Sequence, residues 1–258
     1  MKKITIIFLT LFISCQNDDG PNIDENKEFL VSKVFDYQNR FLAEYIYNEE
    51  NQLTRRIFID PETGNSSDLI FNYINNKVNE VKYIDYTFPE FSNSILIYYN
   101  DLNRIIRSEV LKNGNILSHV NYEYYSNGRL KHLFPDNSSP LNLYEYDNNG
   151  NVHKVTHYYT DPTTGNISEE ISRYSYDINK KPSFNLDYII QIDLIPKMGG
   201  IGILERNISS NNMTIYDNGK TKLSYIYNEN GLPISILTEW ENVTTQEPML
   251  LKIEYIEK

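Results

Sequence analysis

One short pattern recurs along this chain and limits what it can fold into: an aromatic residue, any residue, a tyrosine, a polar pair, then Gly or Asn, with an aliphatic residue two positions later. It reads Tyr45-Ile46-Tyr47-Asn48-Glu49-Glu50-Asn51-Gln52-Leu53 and Tyr122-Glu123-Tyr124-Tyr125-Ser126-Asn127-Gly128-Arg129-Leu130. It is clearest at Tyr144-Glu145-Tyr146-Asp147-Asn148-Asn149-Gly150-Asn151-Val152 and Tyr225-Ile226-Tyr227-Asn228-Glu229-Asn230-Gly231-Leu232-Pro233. Weaker copies centre on Tyr73, Tyr99 and Tyr176, and a partial copy closes the chain at Ile253-Glu254-Tyr255. The second tyrosines, from Tyr47 to Tyr227, are spaced 26, 26, 25, 22, 30 and 51 residues apart, the last gap being close to two periods.

A period near 25 is the mark of a repeat architecture. Each unit has room for two strands of about eight residues and two turns of about four. Asn or Asp opens the turn through its own side-chain hydrogen bonds, and Gly or Asn accepts the positive φ that the turn requires. A second turn is duplicated as Asp60-Pro61-Glu62-Thr63-Gly64-Asn65 and Asp161-Pro162-Thr163-Thr164-Gly165-Asn166. Proline fixes φ early in such a turn and glycine closes it. Between the turns, Val120, Tyr122 and Tyr124 share one strand face and His119, Asn121 and Glu123 the other. Ile234, Ile236 and Trp240 are expected to oppose Ser235 and Glu239 in the same way. One packed face and one wet face is how an antiparallel sheet reads. The 22 tyrosines and 11 phenylalanines agree with strand-rich structure. The repeat tyrosines read first as core and cross-strand packing. A ladder of exposed rings stacking on sugars is the alternative.

The fold class predicted is all-β: an antiparallel β-meander of about 14–16 strands, curled into a barrel or half-barrel because open twisted sheets rarely exceed ~10 strands. A barrel that wide leaves a lumen its own wall does not fill. One apolar stretch breaks the repeat at about residues 182–206: Pro182, Phe184, Leu186, Tyr188, Ile189, Ile190, Ile192, Leu194 and Ile195, then Pro196 and Gly199-Gly200-Ile201-Gly202. Being apolar on nearly all sides it should be buried, and it is the candidate plug. The pattern leaves open helix against irregular strand, and also two ordinary core strands with a glycine bend. A lipid-facing barrel is disfavoured, because Glu44, Arg55, Arg56, Lys82, Glu123, Lys154 and Lys222 interrupt both strand faces.

Ahead of the repeats, Lys2 and Lys3 precede an apolar run from Ile4 to Ile13. At 1.5 Å per residue that run crosses about half of a ~30 Å hydrocarbon core, so it reads as a signal peptide over residues 1–14. It ends in Leu11-Phe12-Ile13-Ser14-Cys15, which resembles the lipobox of bacterial lipoproteins. The resemblance implies cleavage before Cys15, a diacylglycerol on its sulfur and a further acyl chain on its amine. Two or three chains make membrane anchoring stable where one does not. Cys15 is the one cysteine in the chain, so disulfides and thiolate metal sites are excluded. Residues 15–27 read as the lipidated cysteine and a polar, acidic tether, too poor in apolar residues to fold. Residues 28–258 read as a single β-repeat domain. The formal net charge of −11 becomes −13 without Lys2 and Lys3, which argues against nucleic acid as a partner.

The sequence offers no catalytic, cofactor-binding or metal-ligating set. His153 and His157 share a strand face in this reading but stand about 13 Å apart, too far for one metal ion. All four histidines are therefore expected at the solvated surface. His-Glu-x-x-His, Gly-x-Ser-x-Gly and phosphate-binding glycine loops are absent.

The units resemble degenerate YD repeats of the RHS type, with Gly128-Arg129-Leu130 and Tyr146-Asp147 the best matches. The whole chain from about residue 15 is similar to a family of Gram-negative outer-membrane lipoproteins of unknown function with a porin-like β fold. That resemblance implies a cell-envelope lipoprotein, attached to the outer membrane by acyl chains on Cys15, with the periplasmic or the cell-surface face left open. The reading of function is a non-catalytic binding or scaffold module for a glycan or an envelope protein. A polysaccharide-processing enzyme with carboxylates inside the curled sheet, and a structural shell, are the alternatives.

Overall fold

The computed structural model describes residues 28–135, 141–161, 163–187, 190, 194, 203–241 and 248–258. Cys15, the signal segment and the tether lie outside them. The described chain is all-β, one antiparallel sheet of 17 strands. In chain order these are β1 Phe29–Asp36, β2 Phe41–Tyr47, β3 Leu53–Ile59, β4 Ser66–Ile74, β5 Lys77–Asp85, β6 Asn93–Tyr99, β7 Ile105–Lys112, β8 Asn115–Tyr124 and β9 Leu130–Pro135. They continue as β10 Asn142–Tyr146, β11 Val152–Thr160, β12 Ile167–Arg173, β13 Ser175–Tyr176, β14 Met213–Tyr216, β15 Thr221–Tyr227, β16 Pro233–Trp240 and β17 Met249–Glu257. The seventeenth strand arises because Tyr174 divides one stretch into β12 and β13, the latter carrying the Tyr176 copy of the repeat.

Each strand pairs with the next, and β1 pairs with β17 from Phe29 opposite Glu257 to Asp36 opposite Leu251, which brings the ends of the meander together. One interruption remains in the ring. Tyr174 separates β12 from β13, and the outer edge of β12 meets a turn instead of a strand. There Ser172 Oγ donates to Asp217 Oδ1 at 2.8 Å and the Arg173 amide donates to Asn218 Oδ1 at 3.2 Å. The result is a nearly closed barrel.

The repeat turns all fall on one rim. At Asp147 the backbone closes with the Asp147 amide on Asn151 O at 2.8 Å, while Asp147 Oδ1 accepts the amides of Asn149 and Asn151 at 2.9 and 2.8 Å. Asn48, Asn100 and Asn228 repeat this arrangement. The fourth turn position has positive φ throughout: Asn51 60°, Asn103 62°, Gly150 88° and Gly231 71°. That is why the sequence alternates only Asn and Gly there. The Asp60 and Asp161 turns lie on the opposite rim, with Gly64 and Gly165 at φ 75° and 70°.

Two residues apart on a strand means the same face, so both members of each aromatic pair point into the barrel. The first members form a deep layer: Tyr45, Phe71, Ile97, Tyr122, Tyr144, Tyr174 and Ile253 are all buried. The second members form a half-buried layer under the rim. Each repeat hairpin also carries a β-bulge where the second tyrosine faces the next strand, as between Ile46 and Tyr47 or between Glu145 and Tyr146. The extra residue of the bulge on β16 is Ile234, which is exposed while Ile236 is buried. Ile234 therefore does not share the packed face predicted for it, because the bulge changes the alternation at that point.

The outer wall carries ion pairs: Lys82 with Glu80 at 3.5 Å, Arg107 with Glu109 at 2.7 Å, Lys131 with Glu123 at 3.4 Å and Lys154 with Glu145 at 2.6 Å. Surface pairs of this sort add little stability.

Candidate binding site at the tyrosine rim

In six of the eight units the second tyrosine is a latch; Tyr227 instead donates to Asp177 Oδ2, and Tyr176 makes no such bond. The latch hydroxyl donates to a backbone carbonyl at the start of the preceding repeat hairpin's outgoing strand: Tyr73 to Leu53 O at 2.9 Å, Tyr99 to Val78 O at 2.9 Å, Tyr146 to Leu130 O at 3.0 Å and Tyr255 to Pro233 O at 2.8 Å. Tyr124 makes the same bond to Ile105 O, and Tyr47 bonds Val31 O across the seam at 2.8 Å. The acceptors follow the turn directly, where the bulge frees a carbonyl from the ladder. Burial raises the Tyr73 hydroxyl to about 12, so it remains a donor at any physiological pH.

A cation covers most of these rings. It belongs to the residue after the positive-φ position of the preceding unit. Lys77 Nζ lies 5.2 Å from the Tyr99 centroid, the Arg104 guanidinium 5.7 Å from Tyr124, and the Arg129 guanidinium 5.2 Å from Tyr146. Lys258 closes the ring over Tyr47 at 5.8 Å. Each such contact is worth about 0.5–1 kcal/mol at a partly exposed site.

The insert enters the lumen from this rim. The Val31 amide donates to Ser183 O at 2.9 Å, Asn185 Nδ2 donates to Asn51 O at 2.8 Å, and the Tyr45 hydroxyl donates to Leu194 O. The Phe184 ring sits 5.0 Å from that of Tyr45. Phe184, Ile190 and Leu204 are buried in the same core as the barrel wall. The described part of the insert contains no strand. It ends in a short helix, α1, Ile203–Ile208, while the stretch that would form two core strands with a glycine bend lies largely outside the described residues. Lys181 Nζ caps α1 by donating to Arg206 O at 3.3 Å and Asn207 O at 2.8 Å. Burial, with Arg206 nearby, lowers the Lys181 amine to about 8. Burial among Tyr144, Tyr146, Tyr174 and Tyr176 holds the Glu205 carboxyl above the ordinary carboxylate range.

Between the insert and the rim lies a cavity of about 520 Å3. Tyr73 and Tyr99 supply its aromatic wall. Gln52, Asn76, Asn103 and Asn185 bring amide groups, and Glu50 and Asp187 bring carboxylates. Asp187 lies close enough to the lumen tyrosines to help raise the Tyr99, Tyr122 and Tyr124 hydroxyls, after burial, which is the larger cause. Rings and planar amides, in a concave space of this size, are suited to bind a polar organic molecule. The latch tyrosines are half-buried and pack against the core, and Tyr73 and Tyr99 also line the cavity. Glu50 and Gln52 fall within the first repeat copy, but the motif alone gives them no binding role, because the insert that completes the cavity comes from far along the chain.

The histidines are placed differently from the prediction. His153 is the extra residue of the bulge on β11 and is exposed, whereas His157 is half-buried with Nδ1 2.8 Å from Asn142 Oδ1. Burial lowers the His157 imidazole below its usual value. The two do not share an environment, and His157, His119 and His132 are not fully solvated. Among the described residues no group of three or more His, Asp or Glu is placed to hold a metal ion.

No protein-family model matches the chain, and no curated protein matches it. Among solved structures it is similar to a porin-like protein from Bacteroides uniformis, with 14% identity and a TM-score of 0.49, covering 83% of this chain and 90% of that one. A porin-like protein from Bacteroides vulgatus matches with 14% identity and a TM-score of 0.39, over 88% of this chain and 99% of that one. A TcdB2-TccC3-Cdc42 structure matches with 13% identity and a TM-score of 0.31, where 87% of this chain spans 13% of the other.

Proposed function

We propose that this chain is a non-catalytic binding module of the cell envelope, tethered to the outer membrane through acyl chains on Cys15, and that it takes a glycan at the tyrosine rim. The observation that carries the reading is the cavity between insert and rim, with Tyr73 and Tyr99 as ring surfaces and four amide side chains around them. Phe184, Ile190 and Leu204 of the insert pack in the core of the barrel, which speaks against an open pore and against a shell enclosing something else. Ion pairs on the outer wall favour attachment by lipid over insertion of the barrel itself. A glycan array probed with the full chain in detergent should capture a discrete set of sugars. Tyr73→Ala should lose them, whereas Tyr73→Phe, which keeps the ring and loses only the latch, should retain them. A blank array, or capture that survives Tyr73→Ala, overturns the proposal.

One observation favours a second reading. Glu50 and Asp187 line the same cavity, and a pair of carboxylates is what glycoside hydrolysis uses. Product release from captured glycans, abolished in both Glu50→Gln and Asp187→Asn, would establish the enzyme. Capture without turnover would leave the binding module.

A further inference from the structure

The break in the ring leaves a strand edge open, on the side of the barrel away from the cavity. The Tyr174 amide bonds His153 O and the Asp161 amide bonds Asn166 O, so the even-numbered residues of β12 turn their backbone groups to β11. Ile167, Glu169 and Ile171 turn theirs to the other side. One side chain meets them there: Asn218 Nδ2 donates to Ile171 O at 3.1 Å, and Asn218 Oδ1 accepts from the Arg173 amide at 3.2 Å. Asn218 belongs to the turn between β14 and β15, and its carboxamide stands in for one peptide group of a strand that is not there. Past this turn, Ile167 to Ile171 are exposed, and the one strand paired with β12 among the described residues is β11. Buried Ser172 points into the barrel, so Ile167, Glu169 and Ile171 also share the outer face. Glu169 has no ion pair among the described residues. Glu170, on the inner face, already lies near His157, Tyr159 and Lys220.

We infer that this edge receives a strand from a partner protein: an extended segment that adds antiparallel beside Ile167–Ile171, with a basic residue opposite Glu169 and apolar residues opposite Ile167 and Ile171. Open backbone donors and acceptors along a strand are a template for such pairing, and the side chains beside them choose the partner. Opposite charges facing each other across two strands stabilise the pair, and like charges destabilise it. A second copy of this chain is therefore the wrong occupant. Antiparallel pairing centred on the edge would set Glu169 opposite its own copy, and the net charge of −11 repels the two chains further. The surface is separate from the glycan site and stands or falls without it.

The test uses the full chain in detergent and the peptide Ser-Val-Thr-Lys-Thr-Val-Ser, blocked at both ends, with amide hydrogen exchange read residue by residue. Saturating peptide should slow exchange of the Ile167 and Glu169 amides about tenfold or more. The Ser168 and Glu170 amides, already bonded to β11, should change little. Methylating the backbone nitrogen of the peptide's lysine, or replacing that lysine by glutamate, should weaken binding about tenfold. Glu169→Lys should reverse the charge preference. Glu169→Pro should abolish binding yet leave the protein folded, because the amide it removes faces away from β11. If Glu169→Pro does not fold, the reversal in Glu169→Lys still decides. Unchanged exchange at Ile167 and Glu169 with millimolar peptide overturns the inference. So does equal binding of the lysine and glutamate peptides. Protection of the same amides that grows with protein concentration, with no peptide present, overturns it in favour of a second copy.

Discussion

Arg129 lies over the ring of Tyr146 with its guanidinium 5.2 Å from the centroid, and the same guanidinium ends 2.9 Å from where a Cβ on Gly150 would stand. One side chain thus joins two units, stacking on the tyrosine of the next and covering the glycine of its turn. Arg104 does the same for Tyr124 and Gly128. Glycine at position 150 meets two demands, a φ of 88° and the space for this contact. Gly64 meets only the first, with φ 75° and nothing within 4 Å of its would-be Cβ. Gly64→Ala should cost about 1 kcal/mol from backbone strain alone. Gly150→Ala adds contacts at 2.7 Å to Ser210 Oγ and 2.9 Å to Arg129 Nη2 and should cost about 2–4 kcal/mol. Urea unfolding of both variants decides it, and equal losses would show that the arginine gives way freely.

The latches make a second comparison. Tyr146→Phe removes the donor to Leu130 O and should cost about 1–2 kcal/mol, because a half-buried carbonyl loses its partner. Tyr37→Phe removes a hydroxyl that is exposed and bonded only to its neighbour Gln38, and should change stability by less than about 0.5 kcal/mol. A Tyr146→Phe protein as stable as the parent would mean that the bulge, and not the hydroxyl, fixes the rim.

Much of this architecture is legible in the sequence for a physical reason. Tyr-x-Tyr spacing puts both rings on one face, and Asp147 through Gly150 encode a turn by side-chain acceptors and a positive φ. These are local effects, visible within nine residues. The bulges are not. The extra residues Thr54, Asn79, Ile106, Lys131, His153 and Ile234 are chosen by the register between strands, so alternation misplaces Ile234 and His153. The cavity is hidden for a related reason, since Asn185 and Asp187 reach Tyr73 only once the insert is docked.

The insert should respond to pH through Glu205. Its carboxyl is buried, and its affinity for a proton is higher in the folded protein than in the unfolded chain. The folded state therefore binds more protons than the unfolded state between the ordinary carboxylate pKa and the raised one, and stability must fall as pH rises through that window. Glu205→Gln is neutral at every pH and should flatten this part of the profile. Urea midpoints measured from pH 4 to pH 8 test it. An identical slope in the variant would place the titration on another group.

On the proposed acylation of Cys15, the barrel would need no membrane-binding surface of its own. Buried acyl chains supply about 0.8 kcal/mol per CH2, so two or three of them would hold a domain whose wall carries Lys154–Glu145 and Arg107–Glu109 pairs without help from that wall. Cys15→Ser in the full chain, expressed in a Gram-negative host with labelled palmitate, should take up no label and keep residues 1–14. Because the barrel begins at Phe29, beyond the tether, its unfolding profile should match that of the parent. Label retained by Cys15→Ser would exclude this residue as the anchor. Stable membrane association without label would point to the barrel wall instead, and then the outward charges would have to be reconciled with a lipid surface.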